Sequence, residues 1–374
     1  MINKLCNMKH LSLLKKIFFT AITCINIIAC SSDDHEIESD IFVETNVERI
    51  HVTQAGTLSK LMNDCEKNKI EDLTLSGYLN GSDILYLKEE LSKTLFKLNL
   101  SDAKIVEGGE PYAIVTKKYY TENNEVSDYF FSTYSYPKLQ TIHLPKDCTR
   151  IGKYSLASLT NLSFVELPNA LEEIDNVALY NCLSLKSVIF PSSLLSIGDY
   201  CFQNCQELAS IHFNNSLQKI GILAFQNCKS LTNINLPNSL NSIGQFAFDG
   251  CSNLSTITIS EGITEIQYGT FRNCINLSSV NLPTSLNVIS VSAFEGCLSL
   301  ETITIPQNVN KIESNIFKDC NKLQEIHLKG TTPPDISYWS NDYMSHCTLF
   351  IPKGSLATYK KTNYWSLFRD IIEE

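Results

Sequence analysis

The sequence predicts an α/β-type repeat solenoid, with one parallel β-sheet on one wall and short loops or helical turns on the other. The main observation is a 23-residue period that runs through residues 139–328. Leucine and isoleucine recur at this spacing without an insertion or deletion, and phenylalanine and cysteine follow in the same register. Such a period is typical of stacked repeats, because a single unit cannot bury its apolar face alone.

The repeat reads L-x-x-I-x-L-P-x-x-L-x-x-I-G-x-x-A-F-x-N-C-x-x. Its I-x-L phrase alternates apolar and polar residues, which predicts a short strand with the apolar side chains inward. Proline often follows this phrase, and it ends the strand because it has no N–H to donate to a sheet. The I-G-x-x-A-F-x-N-C half predicts a tight loop or a short helical turn on the opposite wall.

The first residues predict a lipoprotein signal peptide at 1–29. Lysines precede an apolar stretch at 17–29, which is shorter than the roughly 20 residues needed to span a bilayer. The stretch ends I-I-A-C and resembles a bacterial lipobox, which implies that Cys30 is the lipid attachment site. The alternative is an ordinary signal peptide followed by a coincidental cysteine.

Residues 30–40 form a short acidic run that predicts a flexible tether. The run also resembles the acidic signal that sends lipoproteins of Bacteroidetes-type bacteria to the cell surface. We therefore expect a lipid anchor in the outer membrane, with the protein facing the cell exterior and touching the membrane through its N-terminal lipid only.

Residues 41–104 and 105–138 differ from the regular repeats. The first segment contains L-x-L phrases that are out of register, and it predicts an N-terminal cap with degenerate repeats. The second segment is rich in tyrosine, including Tyr119, Tyr120 and Tyr129, and predicts a hairpin with Asn123-Asn124 at its tip. Its rings either pack over the first coil or provide a platform for a ligand.

The phrases LTNINLP (231–237) and IGQFAFDGC (243–251) resemble the BspA-like leucine-rich repeat family of bacterial surface lipoproteins. The resemblance implies a right-handed leucine-rich repeat coil over 139–328, capped at both ends. Residues 329–374 are similar to the terminal module of such proteins. There we expect a turn, a last strand in the phrase TLFIP (348–352) and an amphipathic helix that closes the open end.

Several classes of function are disfavoured by composition and by missing motifs. The formal net charge is -10, and all of the acidic residues follow position 30, which argues against a nucleic-acid-binding protein. No G-x-S-x-G, H-E-x-x-H, P-loop, G-x-G-x-x-G or C-x-x-C motif occurs. We therefore expect no enzymatic activity, no catalytic residues, no metal site and no cofactor.

Seven cysteines, from Cys182 to Cys320, also follow the 23-residue period. Thiols one coil apart lie within disulfide reach, at about 5 Å between Cα atoms. They are predicted to point inward in parallel, however, and cysteine is among the most frequently buried residues. We expect reduced packing residues, with a ladder of disulfides or metal ligands as the alternative.

Outward strand positions are the candidate binding surface, because they are exposed and have no packing role. These positions are Phe164, Glu166, Ile189, His212, Asn235, Thr258, Asn281 and Thr304. The three tyrosines of the insertion named above complete the candidate surface. The alternative is a polar sheet face that only contacts water. A binding hot spot is expected at Phe164 and Ile189, beside the aromatic insertion.

Two hypotheses for function remain. The first is a non-enzymatic, monomeric surface protein that recognises a protein or glycan macromolecule, and the family resemblance implies adhesion to host matrix or serum proteins or to other cells. The second is an outer-membrane module that captures glycan or peptide for an uptake system.

Overall fold

The computed structural model describes residues 47–62, 67–131, 136–338 and 346–374. The predicted signal peptide, the tether and Cys30 lie outside these residues. Within them the chain forms a parallel β-solenoid of about 14 turns with few helices, which confirms the predicted solenoid. No helix in the described ranges has both the length and the apolar character needed to cross a membrane.

The first sheet receives one strand from each turn of the solenoid. Most neighbouring strands of the repeats pair in parallel with partners 23 residues apart, such as Thr256 with Ser279 and Thr258 with Asn281. The strands are Val47–Val52 (β1), Asp72–Leu79 (β2), Lys97–Ile105 (β3), Thr141–His143 (β7), Phe164–Glu166 (β9), Ser187–Ile189 (β11), Ser210–His212 (β13), Asn233–Asn235 (β15), Thr256–Thr258 (β17), Ser279–Asn281 (β19), Thr302–Ile305 (β21), Glu325–Leu328 (β23), Thr348–Ile351 (β25) and Asp370–Glu373 (β26).

A second parallel sheet lies on the other wall, where the sequence predicted loops or helical turns. Its strands have two residues each and include the isoleucine of the I-G phrase in the repeats. They are Glu125–Val126 (β6), Arg150–Ile151 (β8), Glu173–Ile174 (β10), Ser196–Ile197 (β12), Lys219–Ile220 (β14), Ser242–Ile243 (β16), Glu265–Ile266 (β18), Val288–Ile289 (β20), Lys311–Ile312 (β22) and Asp335–Ile336 (β24). Residues 139–328 contain no helix, so the helical alternative for this wall, and with it an α/β repeat, is corrected.

Tight turns after the second sheet use two left-handed backbone positions in each repeat. The second position is often asparagine or glycine, which tolerate positive φ, and this is the N of the N-C phrase. The first position carries bulky residues as well, including Val177 at a φ of 64°. The turn N–H groups donate to carbonyl groups of the next coil, as Val177 does to Asp199 at 2.8 Å.

The core is a set of ladders that run along the solenoid. Six phenylalanines, from Phe202 to Phe317, stack with ring centroids between 5.3 and 6.2 Å apart. The seven repeat cysteines are free and buried, and each thiol donates to a backbone carbonyl of the preceding coil. The prediction that these cysteines pack inside the solenoid is confirmed.

The N-terminal part holds the short helices Leu58–Leu61 (α1) and Gly81–Tyr86 (α2), the 3-10 turn Lys67–Lys69 and a π-helical turn at Leu87–Leu91. An antiparallel hairpin follows, formed by Gly108–Ile114 (β4) and Lys118–Thr121 (β5). Its turn lies at 115–117, so the prediction of a tip at Asn123-Asn124 is wrong. Those asparagines instead form the turn between β5 and β6, where Asn124 has a φ of 56°.

The C-terminal part contains the helix Leu356–Lys361 (α3), a 3-10 turn at Trp365–Leu367 and β26. The strand predicted to be the last is β25. The structure has one more strand, β26, which pairs beside β25, so the prediction is corrected. Tyr359 and Trp365 are fully buried, and their side chains donate to the carbonyl groups of Gly330 and Pro334 at 2.7 and 2.8 Å. These bonds tie α3 and the 3-10 turn to the segment after β23.

Candidate recognition surface

The outward positions of the first sheet are exposed, as the alternation of the I-x-L phrase requires. In β17, for example, Thr256 and Thr258 are exposed and Ile257 is buried. Two columns of side chains therefore run along the face. Phe164 belongs to the first column, and the second contains Glu166, Ile189, His212, Asn235, Thr258, Asn281 and Thr304.

A groove lies between β9 and β11 on this face, at one of three points where the hydrogen-bonded ladder of the first sheet is interrupted. The other two lie between β13 and β15 and between β19 and β21. The groove has a volume of about 260 Å³, and its lining includes Phe164, Glu166, Ile189 and Pro191. Ile189 is 70% exposed and Phe164 is 42% exposed. Two large apolar side chains therefore meet water on a face that is otherwise mostly polar.

One end of the groove has a charged border. The ring of Phe164 lies 5.7 Å from that of His143, and His143 contacts the carboxylate of Glu166 through its Nδ1. An apolar centre with a polar border is the usual arrangement of a binding hot spot.

Beyond this groove the middle of the face is flat and uncharged. Amide and hydroxyl groups contact their counterparts one coil away, as Asn281 Nδ2 donates to Thr258 Oγ1 at 3.1 Å. The expected polar array is thus present between Asn233 and Thr304. Polar groups of this array already bond to one another, whereas the groove exposes apolar side chains without such partners. The groove is therefore the more distinctive feature of the face.

The predicted tyrosines lie elsewhere, against the second sheet and its turns. The ring of Tyr129 stacks on Tyr154 with centroids 5.0 Å apart, and Tyr119 is tilted against it at 4.9 Å. Among the described residues of the aromatic insertion, 105–131 and 136–138, none lines the β9–β11 groove. The expectation that Phe164 and Ile189 lie beside the insertion is therefore corrected, and the two patches are separate.

A charged cluster beside the tyrosines was not foreseen. The guanidinium of Arg150 contacts Glu125 at 2.9 Å, Asp175 at 2.7 Å and Asp128 at 3.2 Å. Burial lowers the pKa of Arg150, but hydrogen bonds to Asp175 and Glu125 outweigh it, so the pKa rises above its usual value. These partners are 22 to 25 residues from Arg150, at a spacing that only the stacking of coils brings together.

An open cavity of about 330 Å³ borders this cluster. Its lining includes Tyr119, Tyr120, Lys117, Lys118 and Arg150. Tyr120 is 46% exposed, whereas Tyr119 and Tyr129 are half-buried by their ring contacts. The packing alternative thus describes most of the rings, and Tyr120 is the one with an open face.

Two chemical properties of the described residues bear on function. Among them, no three His, Cys, Asp or Glu side chains are placed to hold a metal ion. Burial raises the pKa of the cysteine thiols, to about 12 for Cys182, which keeps them protonated near neutral pH. Such thiols are poor nucleophiles and poor metal ligands.

Comparisons with known proteins point to one family. The model of the BspA type Leucine rich repeat region, with 6 copies, matches residues 124–253 and 219–349, which together exceed half of the chain. No curated protein matches the sequence. The match to the family model confirms the resemblance inferred from the repeat phrases.

Solved structures that match this chain include bacterial leucine-rich repeat proteins. A leucine-rich repeat protein of T. pallidum is 30% identical, with 49% of this chain and 77% of that chain covered and a TM-score of 0.39. A leucine-rich cell surface protein of Faecalibacterium prausnitzii A2-165 is 20% identical, with 66% and 87% covered and a TM-score of 0.31. The pneumococcal vaccine antigen PcpA is 20% identical, with 70% and 87% covered and a TM-score of 0.33.

Proposed function

The chain belongs to the BspA-type leucine-rich repeat family, and on this basis we propose that it is a non-enzymatic recognition protein of the bacterial surface. Its partner is a macromolecule, either a host matrix or serum protein or a component of another cell. The solenoid acts as a rigid, monomeric scaffold that presents its first sheet to this partner. No cofactor takes part.

The observation that carries this proposal is the β9–β11 groove. When a partner covers exposed apolar side chains, the free energy of binding becomes more favourable by roughly 25 cal/mol per Å² of apolar surface buried. Phe164 and Ile189 offer such surface within a mostly polar face, on strands of neighbouring coils that both line the groove. The remaining outward residues of the column, from His212 to Thr304, form the polar part of the contact surface.

The end segments complete the scaffold in this account. A repeat array needs terminal units that cover its last apolar faces. The segments before 105 and after 328 bury side chains such as Leu58, Leu87, Tyr359 and Trp365 against the array, which supports a capping role for both.

The anchor is the second part of the proposal. The lipobox-like phrase before Cys30 supports diacylation at that thiol, and the acidic run after it supports export to the outer face of the outer membrane. Protease treatment of intact cells tests this directly. We expect the wild-type solenoid to be digested while a periplasmic marker survives, and the Cys30→Ala variant to be lost from the membrane fraction. Protection until the outer membrane is broken would exclude a role at the cell exterior.

Recognition is tested with residues 31–374, which contain the whole compact unit from Thr45 to Glu374. The protein is applied to immobilised matrix proteins, serum proteins and bacterial cells. Saturable retention on at least one of them is expected. Retention on none of them would contradict the proposal.

Capture of glycan or peptide for an uptake system is the second candidate, and the cavity beside Tyr120 favours it. Aromatic rings and charged side chains around an open cavity suit a sugar or a peptide. Retention on a glycan or peptide array that Tyr120→Ala abolishes would support capture over adhesion. Deletion of all of 105–138 is a poor test, because it removes the buried Phe130 and Phe131 and strand β6.

A further inference from the structure

The tip of the β4–β5 hairpin exposes apolar side chains that the proposed function does not use. Ile114 is 70% exposed and Val115 is 54% exposed, and they are adjacent at the turn. Lys117 lies in the turn, Lys118 pairs opposite Ile114, and Tyr119 and Tyr120 follow in β5. We call Ile114–Tyr120 the hairpin tip.

The base of the hairpin is firmly attached to the solenoid. Glu110 N donates to Ser82 Oγ at 2.9 Å, and Lys88 Nζ donates to the carbonyl of Tyr112 at 2.9 Å. Gly81 allows a close approach here, because a Cβ at this residue would lie 2.1 Å from the carbonyl oxygen of Glu110. A fixed base with an exposed apolar tip is the geometry of an inserting loop.

The charge of the tip is opposite to that of the whole protein. No acidic residue occurs between Glu110 and Glu122, so the tip carries two positive charges in a chain of net charge -10. Within the part of the chain that the structure describes, neither Lys117 nor Lys118 forms an ion pair. Lys117 Nζ lies 5.2 Å from the centroid of the Tyr119 ring instead.

The kinds of side chain at the tip suit the layers of a membrane surface. Apolar residues enter the acyl boundary, lysines reach anionic headgroups, and tyrosines favour the interface between the two. From this geometry we propose that the hairpin tip docks onto a lipid bilayer with anionic headgroups. This contact replaces the lipid-only contact expected from the sequence. Together with the N-terminal lipid, which rests on the proposed function, it orients the solenoid relative to the membrane.

The test uses residues 31–374, which lack both the apolar stretch and the lipid. The protein is mixed with vesicles of phosphatidylglycerol and phosphatidylethanolamine, or with vesicles of phosphatidylcholine, and the bound fraction is measured by flotation. Binding to the phosphatidylglycerol vesicles is expected, with weaker binding to phosphatidylcholine. Absence of binding to phosphatidylglycerol vesicles would overturn the proposal.

Two pairs of substitutions separate the tip from general stickiness. The variant with Ile114→Ser and Val115→Ser is expected to bind the vesicles at least about tenfold more weakly. The matched control carries Ile275→Ser and Leu298→Ser, which remove exposed apolar side chains from turns of the repeats, and it is expected to bind like wild type. Equal binding by the tip variant and wild type, or an equal loss in the control, would overturn the proposal.

The lysines and the depth of insertion have their own measurements. Each lysine near an anionic surface contributes about fivefold to binding, so Lys117→Gln with Lys118→Gln is expected to lower it about 25-fold and to remove its salt dependence. Val115→Trp adds a reporter at the tip, and its emission, corrected for the wild-type tryptophans, is expected to shift to shorter wavelength on phosphatidylglycerol vesicles. An unchanged emission, or a salt dependence that survives without the lysines, would overturn the proposal.

Discussion

Val177 is the residue at which the backbone of the repeat is least suited to its side chain. Its φ of 64° is a left-handed conformation that β-branched residues avoid, whereas Asn315 occupies the equivalent position of another repeat at 60°. We expect Val177→Asn to raise the free energy of unfolding by about 1 kcal/mol, as measured by urea denaturation. Val291→Asn is the control, because Val291 precedes the equivalent position of its repeat and lacks a positive φ. A loss of stability in Val177→Asn would contradict this account.

The buried thiols make stability depend on alkaline pH. Burial raises the pKa of the thiol to about 12 for Cys320 and about 11 for Cys148 and Cys347, above the roughly 8.5 of an unfolded chain. The folded state thus holds its thiol protons more tightly, and this contribution is complete below about pH 8.5 and is lost as pH rises towards the folded pKa.

We therefore expect urea stability to fall steeply between about pH 9 and about pH 10, by up to about 1.4 kcal/mol per pH unit for each buried thiol. Cys228→Ala is expected to reduce this slope by the share of one thiol, since burial also raises the pKa of Cys228 well above its usual value. Equal stability at both pH values would show that the thiols are accessible to solvent in the folded state.

At this scale the sequence predicted the periodic residues and missed the interactions between coils. The buried cysteines could be predicted, because their spacing placed them at the same inward position of seven successive turns. The charged cluster at Arg150 could not be predicted, because its partners depend on which side chains of neighbouring coils come into contact. The left-handed backbone at Val177 could not be predicted either, because valine rarely adopts a positive φ. At the other left-handed position of the repeat, asparagine or glycine often indicates it.

The second sheet constrains the glycine of the I-G phrase. Gly221 lies against the preceding coil, and a Cβ there would lie 2.6 Å from the backbone nitrogen of Asp199. We expect Gly221→Ala to lower the free energy of unfolding by about 1–3 kcal/mol, because backbone must move to admit the methyl group. Gln267→Ala is the matched control at the same position of the repeat, two turns later, where a Cβ is already present. An unchanged free energy of unfolding in Gly221→Ala would show that the two coils can move apart at no energetic cost.

Elements were predictable where they carry enough residues to show a period. The strands of the first sheet follow from the I-x-L phrase, and the structure has them at each repeat. Strands of two residues, such as Glu173–Ile174, are too short to show alternation, so the second sheet was assigned to loops or helical turns. The hairpin was expected, but its turn lies at 115–117 because β4 pairs Ile114 with Lys118.

For the whole molecule, the 23-residue period determines most of the architecture. Each turn contacts its neighbours, so a repeat sequence specifies the next coil and the solenoid grows by addition. The position of the groove also followed from the sequence, since Phe164 and Ile189 are apolar residues at outward positions. Its separation from the tyrosines did not, because the side of the coil on which an insertion packs is a tertiary property.

In the proposed function, the partner binds at the β9–β11 groove. The most direct measurement compares the wild-type chain, Ile189→Asp and Thr258→Asp on the matrix protein, serum protein or cell that retains the wild type. Ile189→Asp is expected to bind at least about tenfold more weakly, because a charge replaces an apolar contact. Thr258→Asp, three turns further along the same column, is expected to bind like wild type. Equal binding by all three proteins would contradict the claim and move the binding site away from the groove.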